Sequence, residues 1–165
     1  MFYDAPIITT ISAALLVMIH CIRLYFWHQK GIWQRPLLWV LFSSYILIVS
    51  GFVFKILEAM QLTPMPVSTH AFALGGISLM TMGMMVRVSL GHTGRNVRQP
   101  PINPIWMFGL ALTCALVRVV GPVALPSFYI QVITLSQILW ILAFAIFVIQ
   151  IVPMLFRPRV DGLEG

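Results

Sequence analysis

Apolar residues fill five long runs along the chain, separated by short segments in which Pro, Gly, Lys and Arg gather. Each run is on the order of 20 residues, the length that carries an α-helix across the hydrocarbon core of a bilayer. The pattern predicts helices over Pro6 to Trp27, Pro36 to Leu57, Val67 to Leu90, Pro104 to Gly121 and Phe128 to Leu155. Pro36, Pro66, Pro104 and Pro126 stand at or just before helix starts, where a missing N–H costs nothing, and Pro153 lies near an end that tolerates it. The expected fold is all-α, a polytopic membrane bundle forming one transmembrane domain over residues 1–165.

Composition settles the solvent. With 60% hydrophobic and 8% charged residues and a mean hydropathy of +0.97, the chain cannot cover itself with polar surface, so its partner is a lipid bilayer. Five spans use nearly all of the 165 residues, and no linker or low-complexity tract leaves room for a soluble domain. The segment Met1-Phe2-Tyr3-Asp4 has no basic character, and the run it opens is too long for a signal-peptide core, so it is expected to remain as the first span.

The net charge of +6 does not point to nucleic acid, because the cations sit at the ends of apolar runs and form no patch on a polar face. Arg23, Lys30 and Arg35 follow the first run, Arg95 and Arg98 the third, Arg157 and Arg159 the fifth. Arg87 belongs with them, and Lys55 and Arg118 lie toward the opposite side. The excess of positive charge in cytoplasmic loops then predicts the N terminus outside and the C terminus inside a multi-pass protein.

Rise per residue gives each ionisable group a depth. His20, Arg23, Arg87, His92 and Arg95 fall toward the inner side, and Lys55, Glu58, His70 and Arg118 toward the outer. His70 and His92 are separated by on the order of 30 Å and cannot ligate one metal ion. His20 alone has a depth that lets it face His92, and His28 is expected in the interface. At 100° per residue Thr9, Ala13, Leu16, His20, Arg23 and Trp27 form one stripe, expected to face protein. Ser44, Ile48, Gly51, Lys55 and Glu58 form a second, and Ala73, Gly76, Met80, Gly83 and Arg87 a third. Ser127, Gln131 and Thr134 make a polar strip on the last span.

Each of these groups has a structural and a functional reading. His20 is either an interfacial histidine bonded to backbone or a metal ligand, and intramembrane ionisable groups are often functional. His70 either satisfies free N–H groups and meets Glu58, or ligates. His92 and Arg95 either contact lipid phosphate or anchor a cofactor carboxylate or metal. Met80, Met82, Met84 and Met85 hold soft sulfur, but neighbouring positions point different ways around a helix, so packing is expected. Lys55 and Glu58 read as a structural pair at i, i+3, and Trp27, Trp33, Trp39 and Trp106 as an interfacial belt. Cys21 and Cys114 stand alone, with no C-x-x-C, and are read as small buried residues. No nucleophile–base set, phosphate loop or carboxylate pair is present, so no catalytic residue is assigned.

The string from Thr81 to Arg95, TMGMMVRVSLGHTGR, with His70 before it and the later Arg157-Pro158-Arg159-Val160-Asp161-Gly162, resembles the bacterial NnrS family. The likeness extends to His20 with Arg23 and to Arg35-Pro36-Leu37-Leu38-Trp39-Val40-Leu41, and so covers nearly the whole chain, as the C-terminal part of a family with roughly twelve spans. It implies an inner-membrane protein that binds haem and copper and is associated with nitric oxide, denitrification and nitrosative stress. The family's motifs fall on His20, His70 and His92 as metal ligands and on Arg23, Arg87 and Arg95 beside them as cofactor-binding residues. Where the family pattern continues with histidine, this chain has Phe42, which cannot ligate a metal. A chain of this length is then expected to be a fragment, a decayed copy or one half of a split protein, working with another membrane chain or as a homo-oligomer. A transporter part or non-catalytic scaffold is the alternative.

Overall fold

The computed structural model describes residues 6–63 and 66–162; the reading of the N-terminal tetrapeptide lies outside them. Five helices in it are long and apolar enough to cross a membrane, and no strand occurs among the described residues. We number them α1 (Pro6–Trp27), α2 (Pro36–Ala59), α3 (Val67–His92), α4 (Ile105–Ala124) and α5 (Tyr129–Leu155). Pro36 opens α2 after Arg35, which the proline holds in an extended conformation. A 3₁₀ turn, Pro126–Phe128, leads into α5. The helices α1 and α5 end where the sequence places them, at Trp27 and Leu155. By contrast α2, α3 and α4 run two or three residues further, to Ala59, His92 and Ala124, because the last turn of a helix continues as long as a following N–H reaches back to its carbonyls.

Consecutive helices run antiparallel, so one end of the bundle carries Lys55, Glu58, His70 and Arg118 and the other carries Arg35, Arg87, His92 and Arg95. The α2/α3 seam is a row of glycines. A Cβ at Gly75 would lie 2.7 Å from the Leu47 Cβ, one at Gly83 2.8 Å from a Val40 methyl, and one at Gly51 2.6 Å from the Phe72 ring. In lipid, helices gain little from hiding apolar surface, so close backbone approach and dispersion contacts must supply the association. The core fills around this seam with Leu79, Met82, Val86 and Leu90 of α3, Met107 and Phe108 of α4, and Ile151 of α5, each at most 1% exposed.

Within α3 the residues Ala71–Ser78 form a π-helical stretch. The wider turn rotates the remainder of α3 relative to a uniform helix, so the third predicted stripe splits: Gly76 and Gly83 are buried against α2 while Ala73 and Arg87 are exposed. The methionines diverge, Met82 buried and Met84 and Met85 exposed.

The first helix is peripheral. It packs on α2 and on no other helix among the described residues, and Ala13 is its one buried residue. This corrects the reading of Cys21 as buried: it is exposed, on a face that α2 does not cover, whereas Cys114 is buried. Trp39, expected in an interfacial belt, meets Phe108 edge-on at 6.0 Å between ring centroids and belongs to the interhelical packing.

Candidate functional site

A cavity of about 550 Å³ lies between α3, α4 and α5, lined by His70, Ala73, Leu74, Cys114, Arg118, Ser136, Gln137, Trp140 and Ile141. Each wall follows from local sequence. His70 is the last residue before the π-helical stretch, whose loosened turn forms the α3 side. Cys114 and Arg118 are i, i+4 neighbours on one face of α4. Pro122, one turn further on, has no N–H to give the Arg118 carbonyl. The Cys114 Sγ donates to the Ser136 carbonyl at 3.1 Å, and the Ser136 hydroxyl donates to the Ile133 carbonyl at 2.7 Å, which ties α4 to α5 below the opening.

Arg118 is the electrostatic centre of this cavity. It stands six residues before the end of α4, roughly 9 Å in at the rise of a helix. Its Nε is buried with no hydrogen-bond partner, and no carboxylate pairs with it, among the described residues. A guanidinium in such a setting favours an anionic or strongly accepting group in the cavity. The mixed lining of cation, imidazole, thiol, amide and indole resembles that of small-molecule sites in general.

Glu58, an expected neighbour of His70, is engaged elsewhere. Its carboxylate accepts from the Ser68 N–H at 2.8 Å and the Ser68 hydroxyl at 2.7 Å, satisfying the free start of α3, with Lys55 at 3.6 Å. His70 is thereby left facing the cavity.

The remaining sequence-predicted residues fall in three separate places. His20 lies on the α1/α2 seam, its Nδ1 2.5 Å from the Tyr45 hydroxyl and its ring stacked on Phe52 at 5.7 Å. Arg23 sits over the Trp27 and Tyr45 rings, 5.0 and 5.7 Å from their centroids. Because α1 touches α2 alone among the described helices, His20 is not brought to His92. Arg87 lines a cleft with Arg35 and Arg98. His92 has an exposed side chain, and its carbonyl accepts from Arg159 at 3.2 Å; Arg95 reaches the Thr93 carbonyl at 3.5 Å. Equal depth grouped these residues along the chain, but depth leaves the angular position around the bundle open.

Phe42 is buried, 5.6 Å edge-on from Trp33 and 5.8 Å from the His28 ring, and the Trp33 indole N–H donates to His28 Nε2 at 3.2 Å. An imidazole, that of His28, thus stands beside Phe42. Among the described residues no group of three His, Cys, Asp or Glu side chains gathers to hold a metal ion. Sequence reasoning did not single out Cys114, Gln137 and Trp140 as site residues; the signal available was the Cys114/Arg118 face of a membrane helix.

In comparison with known proteins, the profile of the family described as NnrS protein matches residues 2–159. No curated protein and no solved structure matches the chain.

Proposed function

The chain belongs to the NnrS family, and on that footing we propose that this multi-pass membrane protein binds haem, with copper, and serves in nitric oxide metabolism or resistance to nitrosative stress in the bacterial inner membrane. The observation that carries this reading is the juxtaposition of His70, Cys114 and Arg118 around one cavity within the spans. The cavity offers one imidazole, from His70, that would hold a haem iron, and a guanidinium, from Arg118, suited to a haem carboxylate. A bound haem supplies an iron centre for diatomic ligands. His70 would hold the iron through a ring nitrogen, Arg118 would supply the counter-charge, and Trp140, Ile141 and Leu74 would form the apolar walls that keep water out. Copper fits less well: His70 and Cys114 are two ligands of suitable softness, and no third joins them among the described residues. In this reading copper ligation is completed by a second membrane chain.

The test is direct. Full-length protein purified in mild detergent, from cells supplied with haem and copper, is expected to show a Soret band and bound copper. A colourless, copper-free preparation overturns the proposal.

A second reading rests on a different observation. Gln131 and Thr134 of α5 are exposed on a helix that faces hydrocarbon. Such a strip suits a neighbouring membrane helix, so a scaffold or transporter part that assembles with another chain or with its own copies is the alternative. Crosslinking from position 134 that yields monomer alone in native membranes counts against it.

A further inference from the structure

Arg35, Arg87 and Arg98 come from three stretches of chain, the loop before α2, the last turns of α3 and the loop beyond it. They line one cleft of about 260 Å³ at the end of the bundle opposite His70. None of them is in an ion pair among the described residues, whose carboxylates Glu58 and Asp161 are engaged with Lys55 and Ser68 and with Arg159. All three are exposed, so their mutual repulsion is screened by solvent, and their convergence on one cleft with no carboxylate leaves it open to an anion.

The scaffold that presents the arginines is itself built. Pro36 forces Arg35 into the extended conformation, φ −123 and ψ 110, and so out of the helix it precedes. The Asn96 side-chain oxygen accepts from the Arg98 N–H at 2.8 Å and the Gln99 N–H at 3.3 Å, closing the turn that carries Arg98. Arg87 projects from a helix whose core face is fixed by Val86 and Leu90, both fully buried. Between the cations the wall is apolar, formed by Leu37, Leu38 and Val97.

We propose that this cleft is a phosphate site, taking a phosphate group whose oxygens are forked by the three guanidiniums, borne by an anionic phospholipid or by a phosphate-bearing solute. Arginine is the side chain suited to this task, since its planar fork bonds two phosphate oxygens at once. The position at helix ends, with apolar wall beside the charge, matches the depth of a headgroup and its glycerol.

The experiment uses native mass spectrometry of the full-length chain in neutral detergent, with phosphatidylglycerol, phosphatidylcholine or inorganic phosphate added. Phosphatidylglycerol is expected to be retained over phosphatidylcholine, and R35Q, R87Q and R98Q each to lower retention about fivefold. R157Q, at the same end but outside the cleft, is expected to leave it unchanged, and R87K, which keeps the charge without the fork, to fall between. Displacement of the lipid by inorganic phosphate assigns the site to a solute phosphate; persistence of the lipid assigns it to the membrane. Melting curves and helicity establish that each variant is folded, and R87K replaces R87Q if the latter is not. Phosphatidylglycerol and phosphate binding equal in the wild type and in the folded R35Q/R87Q/R98Q triple variant overturns the proposal.

Discussion

The Asp161 carboxylate lies directly over the Cα of Gly94: a Cβ there would come within 2.6 Å of its Cγ, and Gly94 holds a φ of +70. Two motifs far apart in the chain meet at this point. Arg159 donates to both Asp161 oxygens, at 2.9 and 2.6 Å, and to the His92 carbonyl at 3.2 Å, while the Val160 N–H donates to the Thr93 carbonyl at 3.3 Å. The segment after α5 thus supplies donors to carbonyls at the end of α3, which a helix cannot satisfy from within. The hydrogen bond to Asp161 also pushes the Arg159 guanidinium above its already high ordinary range, so the cation persists at every pH at which the protein is handled.

Gly94→Ala is therefore expected to release the C-terminal segment, through both the left-handed backbone and the collision with Asp161. A loss of about 1–2 kcal/mol in its docking is expected. Amide exchange at Val160 reads it, and an exchange rate equal to wild type shows that the contact does not hold the segment.

Glu58 and Lys55 should separate cleanly on substitution. The Lys55 side chain is 50% exposed, so Lys55→Ala is expected to change stability by less than about 0.5 kcal/mol. Glu58→Ala removes both acceptors for Ser68 at the start of α3 and is expected to cost about 1–2 kcal/mol. Equal effects of the two in thermal unfolding in detergent contradict the capping role.

Glycines at the seam and away from it should respond oppositely to a methyl group. Gly75→Ala meets Leu47 near its backbone and is expected to destabilise by roughly 1–3 kcal/mol. Gly109→Ala meets nothing within 4 Å and is expected to stabilise α4 by about 0.5–1 kcal/mol. Melting temperatures that move in the same direction would rule out close helix approach as the constraint.

The hold of α1 on the bundle should depend on Tyr45. Its hydroxyl meets His20 and its ring receives Arg23 and Trp27. Tyr45→Phe keeps the ring and removes the hydrogen bond, an expected loss of about 1 kcal/mol that loosens α1 alone. Faster protease cleavage between Trp27 and Pro36, with α2 to α5 unaffected, is the signature.

His70→Ala is expected to abolish most of the Soret absorbance of haem-loaded protein, whereas His28→Ala, engaged with Trp33 outside the cavity, should leave it in place. A Soret band insensitive to His70→Ala but lost in His20→Ala moves the haem to the α1/α2 seam.

Helix number, approximate ends and the membrane as solvent were all legible along the chain, because bilayer thickness imposes a length and unsatisfied backbone imposes a helix wherever an apolar run of that length occurs. His70 was legible as a candidate for the same reason, as an ionisable group within a span. The partners of each face were not. Thr9 through Trp27 marked a face of α1, yet nothing in that spacing says that α2 is its sole neighbour among the described helices or that His20 and His92 stay apart. A π-helical stretch at Ala71–Ser78 breaks the uniform 100° step from which the α3 stripe was read. Cys114, Arg118 and Trp140 joined His70 through packing of α4 against α5 and α3, where glycine and alanine contacts decide how closely backbones approach. Periodicity encodes direction around one helix axis, whereas a site between helices depends on the angles and distances among several axes, and those are set by packing between residues remote in the chain.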